Sequence, residues 1–120
     1  MIPEQTLNLT GKVALISGGA VGIGRACALA LAKAGAFIGI NYHSSKEAAE
    51  SLMQEFALQN LKGMLLPADL TDESQANTVV DKLVAETGRL DILINNSGGL
   101  VKRAKIEETT LENWHKSLDI

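Results

Sequence analysis

The 120-residue chain is poor in several features that mark particular protein classes. A single cysteine excludes an internal disulfide and a cysteine-rich metal cluster, and it is typical of a reducing cytoplasm. The net charge of −3 provides no basic surface for nucleic acid or an anionic membrane. The apolar runs are too short to span a bilayer, and no basic-then-apolar signal segment opens the chain. We therefore expect a cytoplasmic protein without nucleic-acid, membrane or metal partners.

Aromatic residues are also scarce, at 3%, while hydrophobic residues make up 46% of the chain. The core must then be aliphatic, as in a parallel sheet that is covered on both faces. Apolar runs predict strands at residues 12–17, 36–42, 63–68 and 90–95, with helical patterns between them. This alternation predicts an α/β fold of the Rossmann type over residues 1–120, as a single domain. Its doubly wound parallel sheet has the strand order 3-2-1-4 and helices on both faces.

The helical patterns carry recognisable ends and faces. The first is predicted to run from about Gly22 to a stop at Gly35. Its predicted apolar face consists of Ile23, Ala26, Cys27, Ala30, Leu31 and Ala34. Cys27 is interpreted as an inert core residue on that face.

Capping residues and apolar spacing also predict two later helices and the start of a fourth. A capping box from Ser44 to Glu47 predicts the start of the second helix. Its predicted apolar face consists of Ala48, Ala49, Leu52, Met53 and Phe56. The third helix follows Thr71 and ends near Gly88, and its predicted face consists of Ala76, Val79, Val80, Leu83 and Val84. A fourth helix is predicted to open at Thr109 or Thr110, with His115 on its surface.

The first predicted strand leads directly into a glycine-rich segment. It reads Ser17-Gly18-Gly19-Ala20-Val21-Gly22-Ile23-Gly24. A strand, a glycine turn and a helix in that order place backbone N–H groups at a helix N-terminus, where a pyrophosphate can bind. In this interpretation Gly18 permits the turn, Gly22 admits the pyrophosphate and Gly24 lets the helix pack closely. The alternative is a tight turn without a ligand.

Three further segments follow predicted strands at their carboxyl ends. They are Asn41-Tyr42-His43-Ser44, Asp69-Leu70 and Asn95-Asn96-Ser97-Gly98. In a parallel sheet these ends meet at one edge, which is where nucleotides bind in such folds. A simpler alternative remains open for each segment. Asp69 could serve merely to form the helix cap near Thr71, and the asparagines could serve merely to form a turn after the strand.

The spacing Gly18-x-x-x-Gly22-x-Gly24 after Ser17 resembles the signature of the short-chain dehydrogenase/reductase family, and of its 3-oxoacyl-carrier-protein reductase-like members. Asp69-Leu70 matches the family's adenine-side position. The stretch from Asn95 to Gly98 resembles its fourth-strand motif, with Ser97 in place of the usual alanine. The resemblance runs from about Thr10 to Ile120. It implies hydride transfer between NADP(H) and a small carbonyl or alcohol substrate by a protein that forms homo-oligomers.

The end of the second strand bears on the choice of cofactor. An acidic residue there would bind the ribose hydroxyls of NAD and repel a 2′-phosphate. The segment from Asn41 to Lys46 has no carboxylate and no arginine, but has hydroxyls, His43 and a lysine. It therefore favours NADP, with NAD possible, and the alternative is that Ser44 and Lys46 only cap and solvate the second helix.

The family's catalytic residues are not found in the chain. The resemblance implies a helical asparagine just after Ile120 and, further on, a serine and a Tyr-x-x-x-Lys pair. Tyr42 and Lys46 share that spacing by coincidence, because Tyr42 ends the second strand on the adenosine side.

We therefore expect a cofactor-binding half that is inactive alone and associates through its fourth strand. The alternatives are a non-catalytic dinucleotide sensor and a methyltransferase. The substrate stays open among 3-oxoacyl thioesters, sugars, and small ketones or alcohols.

Overall fold

A computed structural model of the protein describes residues 8–96. Strands and helices alternate along this part of the chain. They are β1 (Val13–Ser17), α1 (Gly22–Lys33), β2 (Phe37–Tyr42), α2 (Lys46–Leu58), β3 (Gly63–Pro67), α3 (Glu73–Thr87) and β4 (Ile92–Asn95). The strands form one parallel sheet in the order β3-β2-β1-β4, so the predicted order is confirmed.

The strands are one or two residues shorter at some ends than predicted. Ala36 lies outside β2 because its N–H donates to the carbonyl of Leu31 at the end of the preceding helix, 3.1 Å away. Asp91 precedes β4, and its N–H donates to the carbonyl of Val13. Hydrophobic runs extend past the strand ladder because residues that flank a strand also contact the core.

The sheet is covered on both faces, as predicted, because β1 sends alternate side chains to opposite sides. Val13 and Leu15 pack with residues of β3 and α3. Ala14 and Ile16 pack with residues of α1, β2 and α2. Every residue of β1 is buried, whereas every residue of β4 is half-buried.

The buried face of α1 differs from the predicted one. Its buried residues are Gly24, Ala28 and Ala32, whereas Ile23 is 75% exposed and Ala26 and Ala30 are also exposed. An alanine-rich helix gives little periodic contrast, and the sheet selects the face with the smallest side chains because they permit close approach. Cys27 and Leu31 are half-buried at the border of this face, and the cysteine is free.

The start of α2 is also corrected. The helix begins at Lys46 with Ser45 as its N-cap, and no side chain caps it, so the predicted capping box from Ser44 to Glu47 does not form. Both serines instead line a cavity above the sheet. The predicted apolar face is confirmed, with Ala49, Leu52 and Phe56 buried.

Helix α3 begins at Glu73 and is capped by Asp72. Its carboxylate accepts hydrogen bonds from the N–H groups of Ser74, at 2.9 Å, and Gln75, at 3.3 Å. The predicted end at Gly88 is confirmed, since this residue has the left-handed φ of 82°. Val84 is 38% exposed and lies off the buried stripe, contrary to prediction. The predicted face residues Ala76, Val79 and Leu83 are buried, as expected.

Between residues 8 and 96, no helix combines the length and apolar character needed to cross a membrane. The predicted fourth helix and His115 lie outside the described residues, as do Ser97 and Gly98.

Candidate functional site

The predicted site residues between residues 8 and 96 lie at the carboxyl edge of the sheet. The residues after β1 form the glycine loop (residues 18–24), which leads into α1. The ends of β2 and β4 and the segment after β3 lie beside this loop. Parallel pairing explains the arrangement, because it brings every strand's carboxyl end to the same side.

The glycine loop requires glycine at two positions for its backbone conformation. Gly18 and Gly22 have φ values of 60° and 58°, in the left-handed region. A Cβ on Gly22 would meet no atom within 4 Å, so the space beside it is open. A Cβ on Gly24 would collide with the carbonyl of Gly18 and lie 2.8 Å from Nδ2 of Asn96. Gly24 therefore keeps α1 packed on the loop, while Gly22 leaves room for a ligand.

The N-terminus of α1 is open to an anion. Its N-cap residue, Val21, provides no side-chain cap, and the first turn contains no acidic residue. Val21, Gly22 and Ile23 are all exposed. The backbone N–H groups and the positive end of the helix dipole therefore face outward without a carboxylate of this helix beside them.

Asn41 joins three segments beneath the site. Its side chain is buried, and Nδ2 donates to the carbonyls of Leu66 and Ala68, at 3.0 and 3.3 Å. Its Oδ1 accepts from the N–H of Gly18 at 3.3 Å, and its own carbonyl accepts from Gly19. These partners fix the amide orientation, because Gly18 can only donate and the two carbonyls can only accept. Asn41 therefore holds the glycine loop against the ends of β2 and β3.

Ser17 and the two asparagines connect the ends of β1 and β4. The Ser17 hydroxyl lies 3.1 Å from Oδ1 of Asn95 and accepts from the N–H of Asn96 at 2.8 Å. Nδ2 of Asn96 donates to the carbonyl of Gly18 at 3.2 Å. These bonds hold the start of the glycine loop beside β4.

A cavity of about 230 Å³ opens between the glycine loop, the end of β2 and the segment after β3. Its lining residues are Gly18, Ala20, Val21, Asn41, Tyr42, His43, Ser44, Ser45, Ala68, Asp69, Leu70 and Thr71. Nine of these twelve were predicted from the sequence, and Ser45, Ala68 and Thr71 were missed although they adjoin predicted positions. Among residues 8–96, the other predicted residues are outside this lining, and two of them, Gly19 and Gly24, are buried.

Among the described residues that line this cavity, Asp69 is the only acidic one. Its Oδ1 accepts hydrogen bonds from the hydroxyl and the N–H of Thr71, at 2.6 and 3.0 Å. These two bonds, with a smaller contribution from the charge of nearby His43, lower the pKa of the Asp69 carboxyl. Asp69 thus shapes the turn before α3 and also lines the cavity, while the helix cap itself is Asp72.

Two basic side chains near the cavity differ from the sequence-based expectation. Lys46 is largely exposed, is absent from the lining and pairs with Glu50 at 4.0 Å. Arg25, which sequence reasoning overlooked, reaches from α1 to Ala48 of α2. No local sequence signal links these two positions, because they lie 23 residues apart.

Among residues 8–96, no three histidine, cysteine, aspartate or glutamate side chains are grouped so that they could hold a metal ion. The arrangement at the carboxyl edge instead suits a ligand with phosphate groups and a flat or sugar-containing portion. The helix N-terminus can bind the phosphates and the adjacent cavity can receive the rest.

Comparison with known proteins agrees with the predicted family resemblance. The family model described as short chain dehydrogenase matches residues 12–120. An uncharacterised oxidoreductase of Methylorubrum extorquens is 41% identical over 112 residues, which are 93% of this chain and 45% of that protein. The chain therefore spans less than half the length of this relative.

Solved structures agree in fold. A short-chain dehydrogenase from Burkholderia cenocepacia in complex with NADP matches with a TM-score of 0.73 and 33% identity, over 93% of this chain and 45% of that one. A blue fluorescent protein from a metagenomic library, in complex with NADPH, matches with the same TM-score and identity, over 93% and 46%. The predicted Rossmann-type fold and the family resemblance are both confirmed.

Proposed function

Because the chain belongs to the short-chain dehydrogenase family, we propose that its carboxyl-edge site binds a nicotinamide dinucleotide. The cofactor would exchange hydride with a small carbonyl or alcohol substrate. The matches to an oxidoreductase and to NADP- and NADPH-bound structures support this function over a non-catalytic sensor or a methyltransferase.

The open N-terminus of α1 is the observation that carries the proposal. Gly22 has open space where a side chain would stand, and the adjoining turn has no acidic residue. The pyrophosphate would accept hydrogen bonds from the backbone N–H groups there, and the adenosine would enter the neighbouring cavity of about 230 Å³.

We further propose that NADP is preferred to NAD. The rim of the cavity after β2 consists of His43, Ser44 and Ser45, which offer hydroxyl and imidazole donors and no carboxylate. A 2′-phosphate can be held by such donors. The one acidic lining residue, Asp69, follows β3 and has its Oδ1 occupied by Thr71.

Substitution of Gly22 by asparagine tests dinucleotide binding. Asparagine tolerates a left-handed φ better than most residues, so the loop keeps its shape while a side chain fills the open space. Gly88→Asn is the matched control, because Gly88 has a φ of 82° and equally open surroundings but lies at the C-terminus of α3 and not at a helix N-terminus. We expect Gly22→Asn to weaken NADPH binding at least about tenfold in calorimetry, and Gly88→Asn to leave it unchanged.

Equal NADPH affinity in Gly22→Asn and in the unsubstituted protein would place the pyrophosphate elsewhere. An equal loss in both variants would show a general effect of the substitution rather than a phosphate contact.

We also propose that residues 1–120 form a single dinucleotide-binding domain that does not catalyse hydride transfer alone. The general acid must lie within hydrogen-bond reach of the substrate oxygen, and Tyr42 lines the cavity assigned to adenosine instead. β4 pairs only with β1 among the described strands and is half-buried throughout, so we expect association through it. Oxidation of NADPH with small ketones at enzymatic rates by a mass-verified 120-residue chain would contradict this.

A further inference from the structure

Arg25 forms a bridge between two parts of the chain that flank the cavity. Its Nη1 donates to the carbonyl of Ala20 at 3.2 Å and to the carbonyl of Ala48 at 3.0 Å. Its Nη2 lies 3.5 Å from the hydroxyl of Ser51. One guanidinium group therefore contacts the glycine loop on one side and α2 on the other.

The partners of Arg25 are close to the two walls of the site. Ala20 lines the cavity itself. Ala48 belongs to the first turn of α2, which directly follows the lining residues Ser44 and Ser45. Because the guanidinium is planar and rigid, its two hydrogen bonds fix the separation of these walls more firmly than a flexible side chain would.

The positive charge of Arg25 is not neutralised by a carboxylate within residues 8–96. Elsewhere in this part of the chain, Lys46 pairs with Glu50 and Arg89 pairs with Asp91. Arg25 instead bonds only to neutral oxygen atoms, so its charge adds to the positive potential of the α1 N-terminus. It stands beside the cavity without being one of its lining residues.

We propose that Arg25 is a positioning residue of the dinucleotide site. By joining the glycine loop to α2, it sets the spacing between the wall that holds the pyrophosphate and the wall that holds a 2′-phosphate. This inference depends on the proposed function, since it concerns a ligand that touches both walls at once. A ligand that touches only the glycine loop should depend on Arg25 much less.

Two small ligands distinguish binding to both walls from binding to the glycine loop alone. Adenosine 2′,5′-bisphosphate carries phosphates for both walls, whereas 5′-AMP carries one phosphate, for the glycine loop alone. Arg25→Met keeps an unbranched side chain of similar helix propensity but removes the bridge and the charge. Arg25→Lys keeps the charge, but its side chain is one bond shorter and ends in a rotating ammonium, so it cannot hold both carbonyls where the planar Nη1 group does. Lys33→Met is the matched control, since it removes an exposed positive charge from the same helix.

The experiment measures both dissociation constants by calorimetry for each full chain, after circular dichroism has established its folding. We expect Arg25→Met to weaken the bisphosphate about tenfold and 5′-AMP less than about threefold. Arg25→Lys should still weaken the bisphosphate more than about threefold, and Lys33→Met should change neither ligand. If Arg25→Met does not fold, Arg25→Lys decides the question alone.

Two results would overturn the inference and leave the proposed function intact. One is full bisphosphate affinity in Arg25→Lys, because charge alone would then suffice. The other is an equal loss of both ligands, which would show general damage to the site. Failure of the unsubstituted protein to bind either ligand would instead overturn the proposed function, and this inference with it.

Discussion

The two ends of the same sheet are built in different ways. At the amino end, Asp91 accepts two hydrogen bonds from Arg89, at 2.8 and 2.7 Å, and one from the N–H of Val13 at 2.9 Å. At the carboxyl end, Gly18 and Gly22 adopt left-handed backbone conformations beside a cavity. The amino end satisfies its polar groups with its own side chains, whereas the carboxyl end leaves space and backbone N–H groups for a ligand.

This difference follows from parallel pairing. Each strand of a βαβ unit leaves the sheet at its carboxyl end and enters a helix through that helix's N-terminus, so the positive ends of α1, α2 and α3 gather on the same side. At the amino end of the sheet the helices terminate, and the polar groups there need hydrogen-bond partners only from the protein itself. Substitutions at the carboxyl end should therefore affect both fold and ligand, and those at the amino end only the fold.

The largest expected effect concerns Gly24, where the carboxyl end is most tightly packed. Gly24→Ala places a Cβ against the carbonyl of Gly18 and 2.8 Å from Nδ2 of Asn96. Because backbone must move, we expect a loss of about 3 kcal/mol in the free energy of unfolding, measured by chemical denaturation.

Gly19→Ala is the comparison in the same loop. Its Cβ would lie 3.2 Å from side-chain atoms of Ile16 and Ile40 and from the carbonyl oxygen of Ile16, so these neighbours need to shift by only a few tenths of an ångström. We expect a loss of about 1 kcal/mol there. If the two substitutions cost the same, the close contact of α1 with the loop does not control stability.

The second-largest expected effect is a change in the preference between NADPH and NADH, caused by a substitution at the rim of the cavity. Ser44→Asp adds a carboxylate that can bind the ribose hydroxyls of NAD and repel the 2′-phosphate of NADP. We expect the ratio of NADPH to NADH affinity to fall about thirtyfold, which corresponds to about 2 kcal/mol. Isothermal calorimetry with both cofactors measures this ratio.

Asn60→Asp serves as the control because it adds the same charge at an exposed position outside the cavity, where the backbone is already left-handed at a φ of 57°. It should leave the ratio unchanged. Tighter binding of NADH than NADPH by the unsubstituted protein would contradict the proposed preference.

The smallest effect belongs to the amino end. Hydrogen bonds from Arg89, followed by the N–H of Val13, lower the pKa of the Asp91 carboxyl from its ordinary value of 3.8. Its contribution to stability is therefore complete above about pH 4 and is lost as the pH falls through the lower value in the folded protein. Asp91→Asn should cost only about 0.5 kcal/mol at pH 7, because the pair with Arg89 is partly exposed.

Denaturation curves of both proteins between pH 7 and pH 2 check this prediction. Stability of the unsubstituted protein should approach that of Asp91→Asn as the solution becomes acidic, while NADPH affinity at pH 7 is the same for both. A difference in affinity would mean that the two ends of the sheet are coupled.

Local sequence patterns were enough to predict the order of strands and helices, the position of the glycine loop and the buried face of α2. These features depend on local patterns. Buried strands are continuous apolar runs, Phe56 and Leu52 recur at helical spacing, and glycine is the residue that most readily adopts the left-handed conformations at Gly18, Gly22 and Gly88.

Packing between distant elements sets which face of α1 is buried, where α2 begins and what Arg25 and Asn41 contact. Each of these depends on partners far away in the chain. Gly24 packs on the loop because the carbonyl of Gly18 leaves no room for a Cβ, and Arg25 meets Ala48 because α1 and α2 share one face of the sheet. A sequence pattern shows which residues prefer burial, but the spacing between packed elements sets which of them fit.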